Sequence, residues 1–134
     1  MNYVLDANSL IAYFDGEEGG IFISDLLVTP RASISMHVVN SCEVYYHFER
    51  KNGESLANQV LADILSYGIE IVEEADPIIW KVAAHLKANY KRLSLADAFG
   101  VAYAKKIHGI FVASDNRELK PLERDRVCNF LFFR

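Results

Sequence analysis

Five short apolar stretches, at 3–5, 32–36, 69–72, 110–113 and 127–133, alternate along this chain with longer segments of helical periodicity. That alternation constrains the fold more than any other feature, because parallel neighbours in a sheet need a crossover and a helix is the usual one. The pattern predicts an α/β fold, a mostly parallel five-stranded sheet flanked by helices. Helices are expected over 10–14, 21–28, 38–51, 54–67, 77–90 and 95–107. Asn8 or Ser9 is the expected cap of the first. Asn52-Gly53, Gly68 and Gly109 read as stops, Asp76-Pro77 and Ser94 as starts. Two successive helices between the second and third strands form a hairpin. A chain of 134 residues, 51% of them hydrophobic, buries a sizeable core as a single domain over 1–134.

The first strand, Tyr3-Val-Leu5, shows no polar alternation and reads as buried on both faces. It ends at Asp6, the only Asp, Glu, Lys or Arg before Asp15. Open α/β sheets place ligands at the carboxyl ends of their strands. A carboxylate there needs a cation or several donors, because an unpaired buried charge is costly. Three further acids interrupt apolar sequence in the same way. Glu43 is the only such charged residue between Arg31 and Glu49, Asp97 the only one between Arg92 and Lys105, and Asp115 follows the fourth strand after one serine. In a parallel sheet Asp6 and Asp115 share one edge, and helices that start at or cross that edge can bring Glu43 and Asp97 to it.

Converging carboxylates raise one another's pKa unless a cation relieves them. Oxygen-only donors suit hard Mg²⁺ or Mn²⁺, which can orient water against a phosphodiester and stabilise the leaving oxygen. Each acid also has a structural reading. Ser94-x-x-Asp97 is a capping box, Asp115-Asn116 is turn chemistry, and Asp6 can form an Asx turn. Glu43, mid-helix, has neither role open to it, although it can reach solvent or pair with His47 one turn on. The four together are more specific than any one.

Other chemistries lack their motifs. The four histidines make no zinc spacing, and no nucleophile elbow, phosphate-binding P-loop or dinucleotide turn is present. Phe130-Leu-Phe-Phe133 reads as a core strand. Cys42 and Cys128 form no C-x-x-C pair and read as small buried residues, reduced and not paired in a disulfide. Without a signal peptide or an apolar run long enough for a bilayer, a cytoplasmic protein with no membrane association is expected. The net charge of −4 is uneven: residues 1–80 carry three basic and thirteen acidic side chains, residues 81–134 eleven basic and five acidic. A basic C-terminal portion can attract a polyanion locally, or can be ordinary solvated surface.

Val4-Leu-Asp6-Ala-Asn8-Ser-Leu-Ile, Ile34-Ser35 leading to Asn40 and Glu43, Ser94-Leu-Ala-Asp97-Ala, and Val112-Ala-Ser-Asp115-Asn-Arg-Glu-Leu119 together resemble the PIN-domain ribonucleases. Within them the chain resembles the VapC-like toxins of toxin–antitoxin modules. Order, spacing and length agree along essentially the whole chain. The resemblance implies a PIN-like three-layer fold with the strand of Asp6 in the centre, and endonucleolytic cleavage of RNA. It implies a Mg²⁺ or Mn²⁺ site of Asp6, Glu43, Asp97 and Asp115, with Asp6 and Asp97 the principal ligands and Glu43 acting on the attacking water. Asn8, Asn40, Ser94 and Asn116 would support these acids. A homodimer and a cognate antitoxin partner are implied as well. The chain departs from the family where a threonine or serine commonly stands two residues before the last acid. Here that residue is Ala113, with Ser114 displaced by one.

Three other readings compete. A haloacid-dehalogenase-like phosphatase also begins with a strand ending in Asp, but it needs a second acid where Asn8 stands. It also needs a lysine before its last acids, and no lysine lies between Lys106 and Asp115. A receiver-type phosphoacceptor domain lacks its acidic pair. A non-catalytic PIN-like binding module remains, and the presence of all four carboxylates weighs against it.

Overall fold

Val4 and Leu5 are both fully buried, and they face opposite ways. Val4 joins one apolar cluster and Leu5 the other, which is why their strand carries no polar face. In the computed structural model, which describes residues 1–114 and 117–133, this strand, β1 (Asn2–Leu5), is the centre of a five-stranded sheet. The other strands are β2 (Ser33–His37), β3 (Glu70–Val72), β4 (Ile110–Ala113) and β5 (Asn129–Phe132), in the order β3-β2-β1-β4-β5. Every pairing is parallel, with Val4 opposite Ser35 on one side and Phe111 on the other.

Helices cover both faces, giving the three-layer PIN-like arrangement expected. Helices α1 (Ala7–Phe14), α2 (Gly20–Leu27), α3 (Val38–Asn52) and α4 (Glu54–Ser66) bury Leu10, Ile23, Val44, Phe48, Val60 and Ile64 against the Leu5 face. Helices α5 (Pro77–Asn89), α6 (Leu95–Lys106) and α7 (Lys120–Arg124) bury Ile79, Leu86, Val101 and Leu122 against the Val4 face. The chain thus changes face between β3 and β4, and β1 and β4 are the neighbours from which it departs in opposite directions. Their carboxyl ends form the crevice where such sheets hold ligands. No helix among the described residues is long and apolar enough to cross a membrane.

Several caps match the sequence reading. The Asp76 carboxylate accepts from the N–H of Ile78 at 3.0 Å ahead of Pro77, and the Ser94 hydroxyl accepts from the N–H of Asp97 at 3.1 Å. Other expectations are corrected. The first helix starts at Ala7, capped by Asp6 rather than by Asn8 or Ser9, because the Asp6 carboxylate accepts the N–H of Ser9. His108, at φ +54°, supplies the left-handed turn after α6. Gly109 is small for another reason: a Cβ there would stand 3.0 Å from the Asn2 carbonyl oxygen. Helix α7, five residues long with Pro121 in its first turn, has too few turns to show a period in the sequence. Cys42, expected to be buried, is exposed on α3, and Cys128 is half-buried.

Candidate active site

The site begins with one hydrogen-bonded junction. The N–H of Asp6 donates to the Val112 carbonyl at 2.9 Å, binding the end of β1 to the end of β4. On the next turn the buried Ser9 donates to Asp6 Oδ1 twice, from its backbone N–H at 2.8 Å and from its hydroxyl at 2.6 Å. That hydroxyl also lies 3.2 Å from the Val112 carbonyl. Capping thus fixes the rotamer of Asp6 at the head of α1, with only 1% of the residue exposed. Ser9 thus belongs to the site and not to the cap expected of it, and its signal in the sequence is Asp-x-x-Ser, a capping carboxylate with a donor three residues on.

Glu43 and Asp97 come from helices on opposite faces of the sheet. Helix α3 leaves β2 at His37, α6 starts at Ser94, and the two touch over the carboxyl edge of the sheet. Their contact is polar and small. Asn40, fully buried, donates its amide to the Ala96 carbonyl at 3.0 Å. Gly100 lets the helices approach, since a Cβ there would stand 2.9 Å from Asn40 Nδ2 and 2.5 Å from Phe111 Cε1. Asn40 therefore braces the site, holding the first turn of α6 against α3.

Asp6, Asn8, Glu43, Ser94 and Asp97 line one cavity of about 310 Å³, with Ala7, Arg92 and Glu118. Of the eight candidate residues, five line this cavity and Asn40 stands behind it. Asp115 and Asn116 lie outside the described residues. Glu118 and Arg92 enter the lining without having been named as site residues. Glu118 stood in plain sight three residues after Asp115, but only the fold turns it toward Asp97.

The electrostatics follow from this crowding. Burial, reinforced by the charge of Asp97, pushes the Asp6 carboxyl up to about 7, against the lowering pull of Ser9 and the Ser114 backbone. Burial pushes Asp97 up to about 6, with Glu43 and Glu118 adding repulsion and the Ser94 side chain opposing it. Desolvation raises Glu43 as well. The two readings of Asp97 thus coexist: its backbone N–H is what Ser94 caps, while its carboxylate faces the other acids. His47 does not serve Glu43. Its ring lies 3.1 Å from Asp15 Oδ2, beside Lys51 at 2.6 Å from Oδ1. Ala113, where the family commonly has a hydroxyl, is fully buried in the Val4-side core, and the Ser114 backbone supports Asp6.

Among the described residues that line the cavity the donor set is oxygen alone, with no His or Cys. Among the described residues no three acidic, His or Cys side chains are drawn close enough to enclose an ion unaided. A hard cation that keeps much of its water fits such a set, and a soft one does not.

The "PIN domain" family model matches residues 3–124. Among solved structures, a toxin–antitoxin complex from Klebsiella pneumoniae superposes with a TM-score of 0.74 at 18% identity, covering 98% of each chain. VapBC2 from Rickettsia felis, bound to a DNA fragment from its promoter, gives 0.75 at 16% identity, again over 98% of each chain. DNA-bound VapBC from Salmonella typhimurium gives 0.73 at 16% identity, over 100% of this chain and 99% of the other. At these identities the likeness is one of fold. No curated protein matches the chain in sequence.

Proposed function

The chain belongs to the PIN domain family, and from that premise we propose that it is a Mg²⁺- or Mn²⁺-dependent endoribonuclease, the toxin of a toxin–antitoxin pair. The observation that carries the reading is the one cavity that Asp6, Glu43 and Asp97 line together, with their carboxyls raised by burial. Sustaining that desolvated cluster without a ligand costs stability, so a bound cation gives it a reason to exist. Its fold neighbours are toxin–antitoxin complexes by name, which favours a protein antitoxin as partner. A homodimer is proposed with it.

Asp6 and Asp97 would hold the ion, with Glu43 and Asp115 completing the acidic set. When bound, the ion supplies charge neutralisation at the scissile phosphate and a more acidic water. The residues do the rest. Ser9 keeps the Asp6 carboxylate in one rotamer. Asn40 holds the start of α6, and Asp97 with it, against α3. Glu43, its basicity raised by desolvation, takes a proton from the attacking water. Water adds to phosphorus, the bond to the 3′-oxygen breaks, and that oxygen takes a proton from solvent as it leaves, while Glu43 gives the proton it took back to water. The products are a 5′-phosphate and a 3′-hydroxyl.

The test joins stability to chemistry. Millimolar Mn²⁺ should raise the melting temperature of the wild-type chain and leave Asp97→Asn nearly unmoved, by mass action on the folded state. Glu43→Gln should slow cleavage about 10²–10⁴-fold, the usual contribution of a positioned base. Cleavage that persists in excess chelator, or products ending in 2′,3′-cyclic phosphate, would remove this site from the chemistry.

A further inference from the structure

Arg92 and Glu118 line two cavities at once. One is the acidic pocket. The other, about 450 Å³, runs on from it between the turn that links α5 to α6 and the segment leading into α7. Its character is opposite. Lys91, Arg92, Arg117 and Arg124 line it, against Glu118 and Asp125. Asp125 is already engaged, accepting the Tyr90 hydroxyl at 2.6 Å and lying 3.4 Å from Arg124 Nε. Lys91, Arg92 and Arg117 are exposed and make no ion pair among the described residues. Tyr90, Leu93 and Pro121 supply an apolar floor beneath these cations.

We propose that this groove is the strand-binding subsite of the nuclease, gripping the phosphates that neighbour the scissile one on single-stranded RNA. The inference rests on the nuclease reading and adds to it where the substrate lies. An acidic pocket repels a polyanion, and a ligand reaches it only if nearby cations more than offset that repulsion. Here the offset is local and sits on one side, so the strand enters from the α5–α6 turn and passes Arg92 to reach Asp6 and Asp97. Cations on the rim with an apolar, aromatic floor suit a nucleotide, whose phosphate and base demand opposite surroundings. The volume lies within the range of ligand clefts. Not every basic residue of the C-terminal portion takes part. The Lys87 ammonium donates to the Lys91 carbonyl at 3.0 Å, and Lys120 sits over the Phe132 ring, 4.6 Å from its centre.

The test is binding of a fluorescent single-stranded RNA to the full chain by anisotropy, in chelator so that nothing is cut, across a range of salt. Each phosphate contact on a single strand contributes a slope of roughly 0.7 in log affinity against log salt. The Lys91→Gln/Arg117→Gln double variant should therefore lose about 1.4 from that slope. Lys81→Gln, on the outer face of α5 and over the Trp80 ring, should lose nothing. Both are surface changes, and unchanged melting temperatures would show that they fold. A slope and affinity equal to wild type in the double variant would overturn the subsite, as would an equal loss in Lys81→Gln. If the double variant instead fails to bind an acidic peptide while its RNA slope is unchanged, the groove is a protein-binding surface and the proposal falls. Because binding is read without turnover, a lost slope in a chain that never cleaves RNA would sink the nuclease reading and leave the groove standing.

Discussion

At the scale of single residues, Asp6 carries the largest cost. Its folded-state value of about 7 stands above the ordinary 3.8, so the folded chain binds more protons than the unfolded chain between roughly pH 4 and 7. Stability from this group is therefore present below that window and is lost as the pH rises through 7. Asp6→Asn keeps an oxygen to accept the two Ser9 donors and removes the charge. In metal-free buffer at pH 8 the variant should be more stable than wild type, by on the order of 4 kcal/mol. At pH 4.5 the difference should shrink toward zero. A wild-type chain that outlasts Asp6→Asn at pH 8 without metal would contradict the assignment of buried repulsion to this carboxyl.

At the scale of elements, the site depends on how closely α3 and α6 approach over the sheet edge. Gly100 sets that distance, since its missing Cβ would stand 2.5 Å from the Phe111 ring and 2.9 Å from Asn40. Gly100→Ala overpacks the junction, which typically costs about 1–3 kcal/mol. It should also shift the start of α6 and with it Asp97. Asp76→Ala is the matched comparison. It removes a helix cap worth about 1 kcal/mol at the start of α5, and Asp76 lines neither cavity. At equal loss of melting temperature, Gly100→Ala should diminish the Mn²⁺-induced stabilisation and Asp76→Ala should not. Equal retention in both would mean that the contact is structural filling only.

At the scale of the whole molecule, charge and apolar surface are both unevenly spread. Residues 1–80 carry a net −10 and residues 81–134 a net +6. Ile21, Val28, Ile78, Trp80 and Leu95 are all exposed, Val28 by 79% and Ile21 by 68%. An uneven charge distribution lets the acidic part of one copy face the basic part of its partner across a two-fold axis, and apolar side chains on α2 and α5 add area to cover. The proposed homodimer should therefore appear by light scattering at micromolar concentration, and its dissociation constant should rise with salt. A monomer at that concentration would reject it.

Much was legible along the chain because it depends on neighbours in sequence. Unalternating apolar runs marked β1 and β4, and the Asp76-Pro77 and Ser94 caps marked two helix starts. Asp6, Glu43 and Asp97 were conspicuous because a charge in apolar sequence is costly wherever it is buried. The central place of β1 is legible in its burial on both faces and in the family resemblance, whereas the full order β3-β2-β1-β4-β5 comes only from the fold. Other features depended on contacts between residues remote in sequence. Gly100 as the spacer between α3 and α6, and Glu118 beside Asp97, are consequences of where the layers cross. Likewise His47, four residues from Glu43 on one helix, was drawn off to Asp15 by the end of α1. Local rules describe what a residue tends to do next to its sequence neighbours; which carboxylate, cation or void it finally meets is decided by packing, because only packing sets distances across layers.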